Sequence, residues 1–329
     1  MTEKILGNKA NKIFLTGGAG FIGSHLCDLL LEQEYFVTVF DNFSNGRREF
    51  IDHNLSKKNF NVIFGDCNNY EELKNAMKSD HDLVWHLAAN TDIIKSHEQP
   101  DRDLKDCAIS TFNVLEAMRT NNIKNIIFSS TGAVYGKLCL DDYTCEKDGP
   151  LMPMSTYGAG KIASEAFLHA YSHLYDINSW IFRFGNVIGS RATHGVLLDF
   201  IKKLKNNPNT LRVLGDGTQE KNYFLVKECL EGMAWTFLNT SLDKNNPSII
   251  FNLGTSDVTN VIEIAKIVIE EMGLKDQTAI EIDGSRYAWR GDQPKVHLNV
   301  DKVNQIGWTC KLSSSESVRI AVRQMLNEV

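Results

Sequence analysis

The stretch Lys12-Ile13-Phe14-Leu15-Thr16-Gly17-Gly18-Ala19-Gly20-Phe21-Ile22-Gly23 decides how the chain is read. Its first five residues form a short β-rich run that stops at a glycine cluster, and Phe21 to Glu32 then places Ile22, Leu26, Leu29 and Leu30 at helical spacing. Between that strand and that helix, Gly18, Gly20 and Gly23 make a G-x-G-x-x-G pattern. Glycine is needed there because the turn is tight, the backbone must approach a pyrophosphate closely, and the helix must pack on the strand with its free amides facing an anion. The next strand, Phe36 to Phe40, ends at Asp41, 18 residues past Gly23, where a carboxylate can accept hydrogen bonds from an adenosine ribose. The same carboxylate repels a 2′-phosphate, so Asp41 favours NAD over NADP; Arg47 and Arg48 are the counter-argument.

Outward from this stretch, apolar runs at Val62 to Phe64, Leu83 to Leu87 and Ile126 to Phe128 sit between helical patterns such as Glu71 to Lys78 and Asp103 to Thr120. Alternation of this kind predicts an α/β protein with a doubly wound parallel sheet, whose ligands bind at the carboxyl ends of the strands. After Arg183 the pattern turns irregular, with loop signals at Asn206-Asn207-Pro208-Asn209, Gly215-Asp216-Gly217 and Asn245-Asn246-Pro247. Residues 1–185 are therefore expected to form a dinucleotide-binding domain that also carries the catalytic residues. Residues 186–329 are expected to form a smaller, mainly substrate-binding α/β domain, some of whose segments return to the first.

Composition narrows the function. The 329 residues hold 35 Lys plus Arg against 41 Asp plus Glu, a net charge of −6, so bulk charge draws in no nucleic acid. No apolar run approaches the ~20 residues of a membrane helix. Met1 to Lys12 scatters charged and polar residues where a signal peptide needs an apolar region, which predicts a cytoplasmic protein. Seven cysteines without a C-x-x-C pair argue against a zinc site and a disulfide framework. His169 and His173 lie four apart on a predicted helix with no third ligand in view, so no metal is expected.

A second constellation is Tyr157-Gly158-Ala159-Gly160-Lys161, a Y-x-x-x-K whose ends share one helix face. The string occurs four times, at Tyr70/Lys74, Tyr143/Lys147, Tyr157/Lys161 and Tyr223/Lys227. Small residues between the pair, an apolar helix running on through Ala163, Ala166 and Phe167, and Phe128-Ser129-Ser130-Thr131 ending a strand 26 residues earlier single out Tyr157. A phenol of ordinary pKa near ~10 is a poor base at neutral pH. A lysine ammonium and a nicotinamide cation beside it both favour phenolate, and Thr131 is placed to hold a substrate hydroxyl.

These residues resemble the extended short-chain dehydrogenase/reductase superfamily, in its nucleotide-sugar epimerase/dehydratase branch. The resemblance runs on through Gly65-Asp66, His86-Leu87-Ala88-Ala89, Val134-Tyr135-Gly136, Arg183-Phe184-Gly185-Asn186-Val187-Ile188-Gly189, Gly215-Asp216-Gly217-Thr218-Gln219 and Gly291-Asp292. It implies a Rossmann-type fold and an NAD-dependent enzyme. Tyr157 becomes the catalytic base, Lys161 its activator and ribose anchor, and Thr131 the hydroxyl that positions the sugar. It places NAD against Gly17, Gly18, Gly20, Phe21, Ile22, Gly23, Asp41, Asn42, Asp66, Cys67, Leu87, Ala88, Ala89, Tyr157 and Lys161. Thr131, Asn186, Lys221, Arg290 and Asp292 are the implied contacts to a nucleotide-diphosphate sugar.

Family 4,6-dehydratases resemble Thr-Asp-Glu at Thr131, whereas Gly132 and Ala133 follow it here. Without that carboxylate pair, the implied chemistry is oxidation of the sugar C4 hydroxyl, completed as 4-epimerisation if the ketone turns and takes the hydride back. Net C4 dehydrogenation of a UDP- or GDP-activated hexose or heptose is the alternative. A non-catalytic dinucleotide sensor is disfavoured, since it has no need of Tyr157. Lys221-Asn222 stands where the family has arginine and aspartate, which loses a bidentate grip on phosphate. Family members commonly dimerise through the helices that here span Asp103 to Thr120 and Ser155 to Tyr175. Phe112, Leu115, Met118, Phe167, Leu168 and Tyr171 are the candidate homodimer face.

Overall fold

The computed structural model describes residues 4–90, 96, 98–140, 143–285 and 291–328. The first half alternates: β1 (Lys12–Thr16), α1 (Phe21–Glu32), β2 (Phe36–Asp41), β3 (Phe60–Phe64), α2 (Tyr70–Ala76) and β4 (Leu83–His86). After β4 come α3 (Asp101–Asp103), a wide π-helical segment (Leu104–Ile109) and α4 (Ser110–Thr120), so the single predicted helix is three pieces. Then follow β5 (Asn125–Thr131), α5 (Thr156–Tyr175) and β6 (Asn178–Phe184). The second half holds β7 (Asn186–Ile188), α6 (Val196–Asn206), β8 (Thr210–Val213), β9 (Glu220–Lys221), β10 (Tyr223–Leu225) and α7 (Val226–Asn239). It ends with β11 (Ser248–Leu253), β12 (Thr259–Asn260), α8 (Val261–Glu271), β13 (Ala279–Ile282), β14 (Lys295–Val296), α9 (Asp301–Gln305) and α10 (Ser314–Leu326).

Seven strands form one sheet in the order β11-β6-β5-β4-β1-β2-β3. The pairs β1–β2, β2–β3, β1–β4 and β4–β5 are parallel, and Thr16 at the end of β1 stands opposite both Phe40 and His86. Strand order reverses across β1 and β4, the switch point at which such sheets open a crevice beyond their carboxyl ends. Val114, Leu115 and Met118 of α4 and Leu168 of α5 are buried in one cluster with Phe14, Val84 and Phe128 of the sheet. That burial gives the amphipathic helices their stability.

The chain divides into two interleaved compact units, residues 1–134, 156–183 and 230–251 in one, and residues 135–155, 184–229 and 252–329 in the other. One crossing, at 183/184, lies beside the 185/186 boundary expected from sequence; 230–251 returns to the first unit, supplying most of β11. The second unit has its own core, in which Phe200, Ile201, Ile264, Val268, Val318 and Val322 bring α6, α8 and α10 together. Its helix α10 starts at a reciprocal cap, Ser313 accepting from the Glu316 amide and Glu316 from the Ser313 amide. No helix among the described residues is long and apolar enough to cross a membrane. All seven cysteines are free thiols.

Candidate active site

The glycine turn is built by close approach. Gly17 has φ +72°, and a Cβ there would lie 2.7 Å from the Ala88 amide nitrogen; one on Gly23 would lie 2.1 Å from the Gly17 carbonyl oxygen. Helix α1 therefore begins directly against the end of β1. Gly20 caps it in extended conformation with no side-chain cap, and its first turn holds no acidic residue, so its free amides face outward uncompensated.

Asp41 is buried, with Oδ2 accepting from the Ala19 amide at 2.9 Å and Oδ1 from the Phe43 amide at 2.8 Å. Burial pushes its carboxyl up and the two amides pull it back. Each oxygen keeps lone-pair capacity for a ribose hydroxyl. Asn42 donates to Asp66 at 3.0 Å, joining the loops after β2 and β3, and the Cys67 carbonyl accepts from Asn113 at 2.9 Å. Leu87 and Ala88 donate their amides to the Thr16 carbonyl and hydroxyl, at 3.2 and 3.3 Å. Arg47 and Arg48 lie exposed beside Glu49 and Asp52, carboxylates that compete with any 2′-phosphate.

Thr131 ends β5, and Tyr157 and Lys161 occupy the first turns of α5. Tyr157 is partly buried and hydrogen-bonded to Thr131. Lys161 is almost fully buried; its ammonium donates to the Ser129 carbonyl at 2.7 Å, 4.7 Å from the Phe128 ring centre and 5.9 Å from that of Tyr157. The expected lowering of the phenol pKa by Lys161 is not what the protein by itself produces. Burial drives the Tyr157 phenol above its ordinary value, Cys107 and Asp103 add to this, and only the Thr131 hydrogen bond opposes it. The cost of burying a phenolate outweighs an ammonium that is turned toward Ser129.

The other Tyr/Lys pairs have no such setting: Tyr70 and Lys74 lie along α2, Tyr143 is exposed, and Tyr223 is in β10 while Lys227 is in α7.

In the second unit, Lys221 pairs with the buried Asp292 at 3.3 Å, so two of the expected substrate contacts engage each other. Asn222, fully buried, donates to the carbonyls of Thr255 and Asp257 and accepts from the Leu298 amide. Its carbonyl takes the Asn186 amide at 2.7 Å. Two of these partners are carbonyls, which only a donor can satisfy, so Asn222 is a structural crosslink that an aspartate could not make. Arg290 lies outside the described residues.

A model of the NAD-dependent epimerase/dehydratase family matches residues 13–254. The chain belongs to that family. A UDP-glucose 4-epimerase of Mycolicibacterium smegmatis is 26% identical over 323 residues, spanning 96% of this chain and 99% of that protein. The solved structure of a UDP-galactose 4-epimerase superposes with a TM-score of 0.84 at 34% identity, over 97% of this chain and 99% of the other. That of Thermus thermophilus UDP-glucose 4-epimerase with NAD gives 0.82 at 30%, over 97% and 100%.

Within this family fold, three groups around Tyr157 and Lys161 were given no role by the sequence reading. Glu165, one turn beyond Lys161, is held by Arg183 Nε at 3.0 Å and Nη2 at 2.6 Å, and accepts a short hydrogen bond from Ser130. Asp103 accepts from Asn90 at 2.7 Å and from Thr156 at 2.6 Å. His86 spans Thr16 and Thr111, and burial, aided by Lys161, holds it down to about 3, so it stays neutral. Glu165 alone had a local signal, its position four residues after Lys161 on the same helix face.

Proposed function

We propose that the protein is an NAD-dependent nucleotide-sugar 4-epimerase acting on a UDP-hexose. The observation that carries this is the Thr131–Tyr157 hydrogen bond beside buried Lys161, on a strand end where Gly132 and Ala133 bring no carboxylate. The crowded, side-chain-free Gly17 and Gly23, the uncapped α1 amides and the two-oxygen acceptor Asp41 fit NAD, the first two at its pyrophosphate and the last at its adenosine ribose. When bound, NAD supplies a hydride acceptor that can return the hydride, and a positively charged ring.

Tyr157 takes the proton of the C4 hydroxyl while Thr131 holds that oxygen, and returns it once the 4-ketone has turned over. Lys161 contributes positive charge that favours phenolate and a donor for a ribose hydroxyl. Burial around Tyr157 keeps bulk water from the ketone. In the second unit, Asn186, Lys221 and Arg290 are assigned to the diphosphate, with Asp292 holding the Lys221 ammonium. The named relatives, UDP-glucose and UDP-galactose 4-epimerases, support UDP as the nucleotide.

The test is NMR of UDP-glucose incubated with the wild type and with Tyr157→Phe. The wild type should form the 4-epimer, and the variant should lose turnover by roughly 10²-fold or more while still binding NAD. A 4-ketone accumulating with NADH, or a product deoxygenated at C6, would contradict the proposal.

A further inference from the structure

Helix α5 begins on Asp103. Its carboxylate is fully buried and accepts from the Thr156 hydroxyl at 2.6 Å, next to Tyr157, and from the Asn90 amide at 2.7 Å, just after β4. Its carbonyl faces Gly160, next to Lys161, where a Cβ would come within 2.8 Å of it. Both partners of the carboxylate are neutral. The Lys161 ammonium has the complementary situation, since its hydrogen bond goes to a neutral carbonyl, that of Ser129. A buried charge with only neutral partners is costly unless an opposite charge lies near.

The other titratable groups around Lys161 and Tyr157 are a thiol, a neutral imidazole and a carboxylate that already has a cationic partner. Cys107, from the π-helical segment, is pushed up by burial and stays a thiol. His86, from β4, is held down to about 3 and stays neutral. Glu165, on α5 itself, also pushes Lys161 up, but its carboxylate is already paired with Arg183. From β5 come only the Ser129 carbonyl and the Thr131 hydroxyl.

We propose that Asp103 is the counter-charge of the active site, a positioning residue that keeps Lys161 protonated and delays ionisation of Tyr157. Burial pulls Lys161 down, and Cys107, Glu165 and Asp103 push it up; burial raises Tyr157, and Cys107 and Asp103 raise it further. Removing this one negative charge therefore lowers both groups together. The inference rests on the catalytic reading of Tyr157 and Lys161 given above.

Asp103→Asn separates charge from geometry, because an amide can still accept from Asn90 and can donate to the Thr156 oxygen. Turnover of UDP-glucose is measured against pH for both proteins, and NAD binding by calorimetry over the same range. Both limbs of the variant's bell-shaped profile should move to lower pH, by about half a unit or more. The alkaline loss of NAD affinity, read without turnover, should begin at lower pH as well. Asp103→Ser, which also removes the charge, should give the same displacement if the asparagine variant does not fold. Thr156→Ala, which removes a hydrogen bond and keeps the charge, should leave the limbs in place. Limbs at the wild-type pH in Asp103→Asn, with only the amplitude reduced, would overturn the proposal, as would an equal displacement in Thr156→Ala. Wild type that binds no NAD at any pH would instead overturn the functional reading beneath it.

Discussion

Glu165→Ala tests the frame that holds Tyr157 against Thr131. Glu165 and Arg183 are 4% and 3% exposed, and three hydrogen bonds link them, at 3.0, 3.3 and 2.6 Å. A fourth, from Ser130, ties the same carboxylate to the residue before Thr131. Removing one partner of a buried pair costs about 3–5 kcal/mol, because the guanidinium loses its carboxylate without regaining water. That is a large share of the roughly 5–15 kcal/mol that stabilises a typical protein. At about 2–4 °C per kcal/mol, the midpoint of thermal unfolding should fall by about 10 °C. Replacing both partners, as Glu165→Met with Arg183→Met, should recover most of that loss, since the desolvation cost disappears with the charges. Differential scanning fluorimetry of the three proteins reads this directly. A single variant melting within ~2 °C of wild type would refute the reasoning, because no buried ion pair with this geometry could be so cheap to break.

Asp41→Ala should weaken NAD far more than NADP, since the lost carboxylate no longer receives ribose hydroxyls and no longer repels a 2′-phosphate; calorimetric titration of the two cofactors checks it. The chain is expected to dimerise through α4 and α5. Here the structure divides the six expected positions: Leu115, Met118, Leu168 and Tyr171 are buried against the protein's own core, while Phe112 and Phe167 remain exposed and in edge contact at 5.6 Å. Phe167→Asp should therefore shift a sedimenting dimer toward monomer with little loss of folding stability, and a monomeric wild type at micromolar concentration would refute the dimer.

Local signals carried the first unit far. The strand-turn-helix at Lys12 to Glu32 has the expected bounds, because a buried parallel strand, a glycine turn and an amphipathic helix each leave a periodic trace in adjacent residues. Tyr157 could be separated from Tyr70, Tyr143 and Tyr223 by its helix and by the strand ending at Thr131. What surrounds Tyr157 could not be read so. Asp103 meets Thr156 across 53 residues, and the carboxylate of Glu165 is paired by an arginine on β6, 18 residues away. Neither contact has a periodicity, and an isolated aspartate in a helical pattern reads as a solvated face. Asn222 was visible only as a departure from the family's aspartate, because its two carbonyl partners, 33 and 35 residues away, leave no local trace. The π-helical segment was hidden for a related reason, since Leu104 to Ile109 keep a helix-like pattern whether the turn holds 3.6 residues or more.

In the proposed reaction, hydride leaves C4 and returns to the same carbon within one active site. UDP-galactose deuterated at C4 is the direct probe, incubated with the enzyme and unlabelled NAD and followed by NMR and mass spectrometry. UDP-glucose that keeps its deuterium at C4, with no net NADH, is the predicted result; loss of the label, or a ketone accumulating beside labelled NADH, would contradict it.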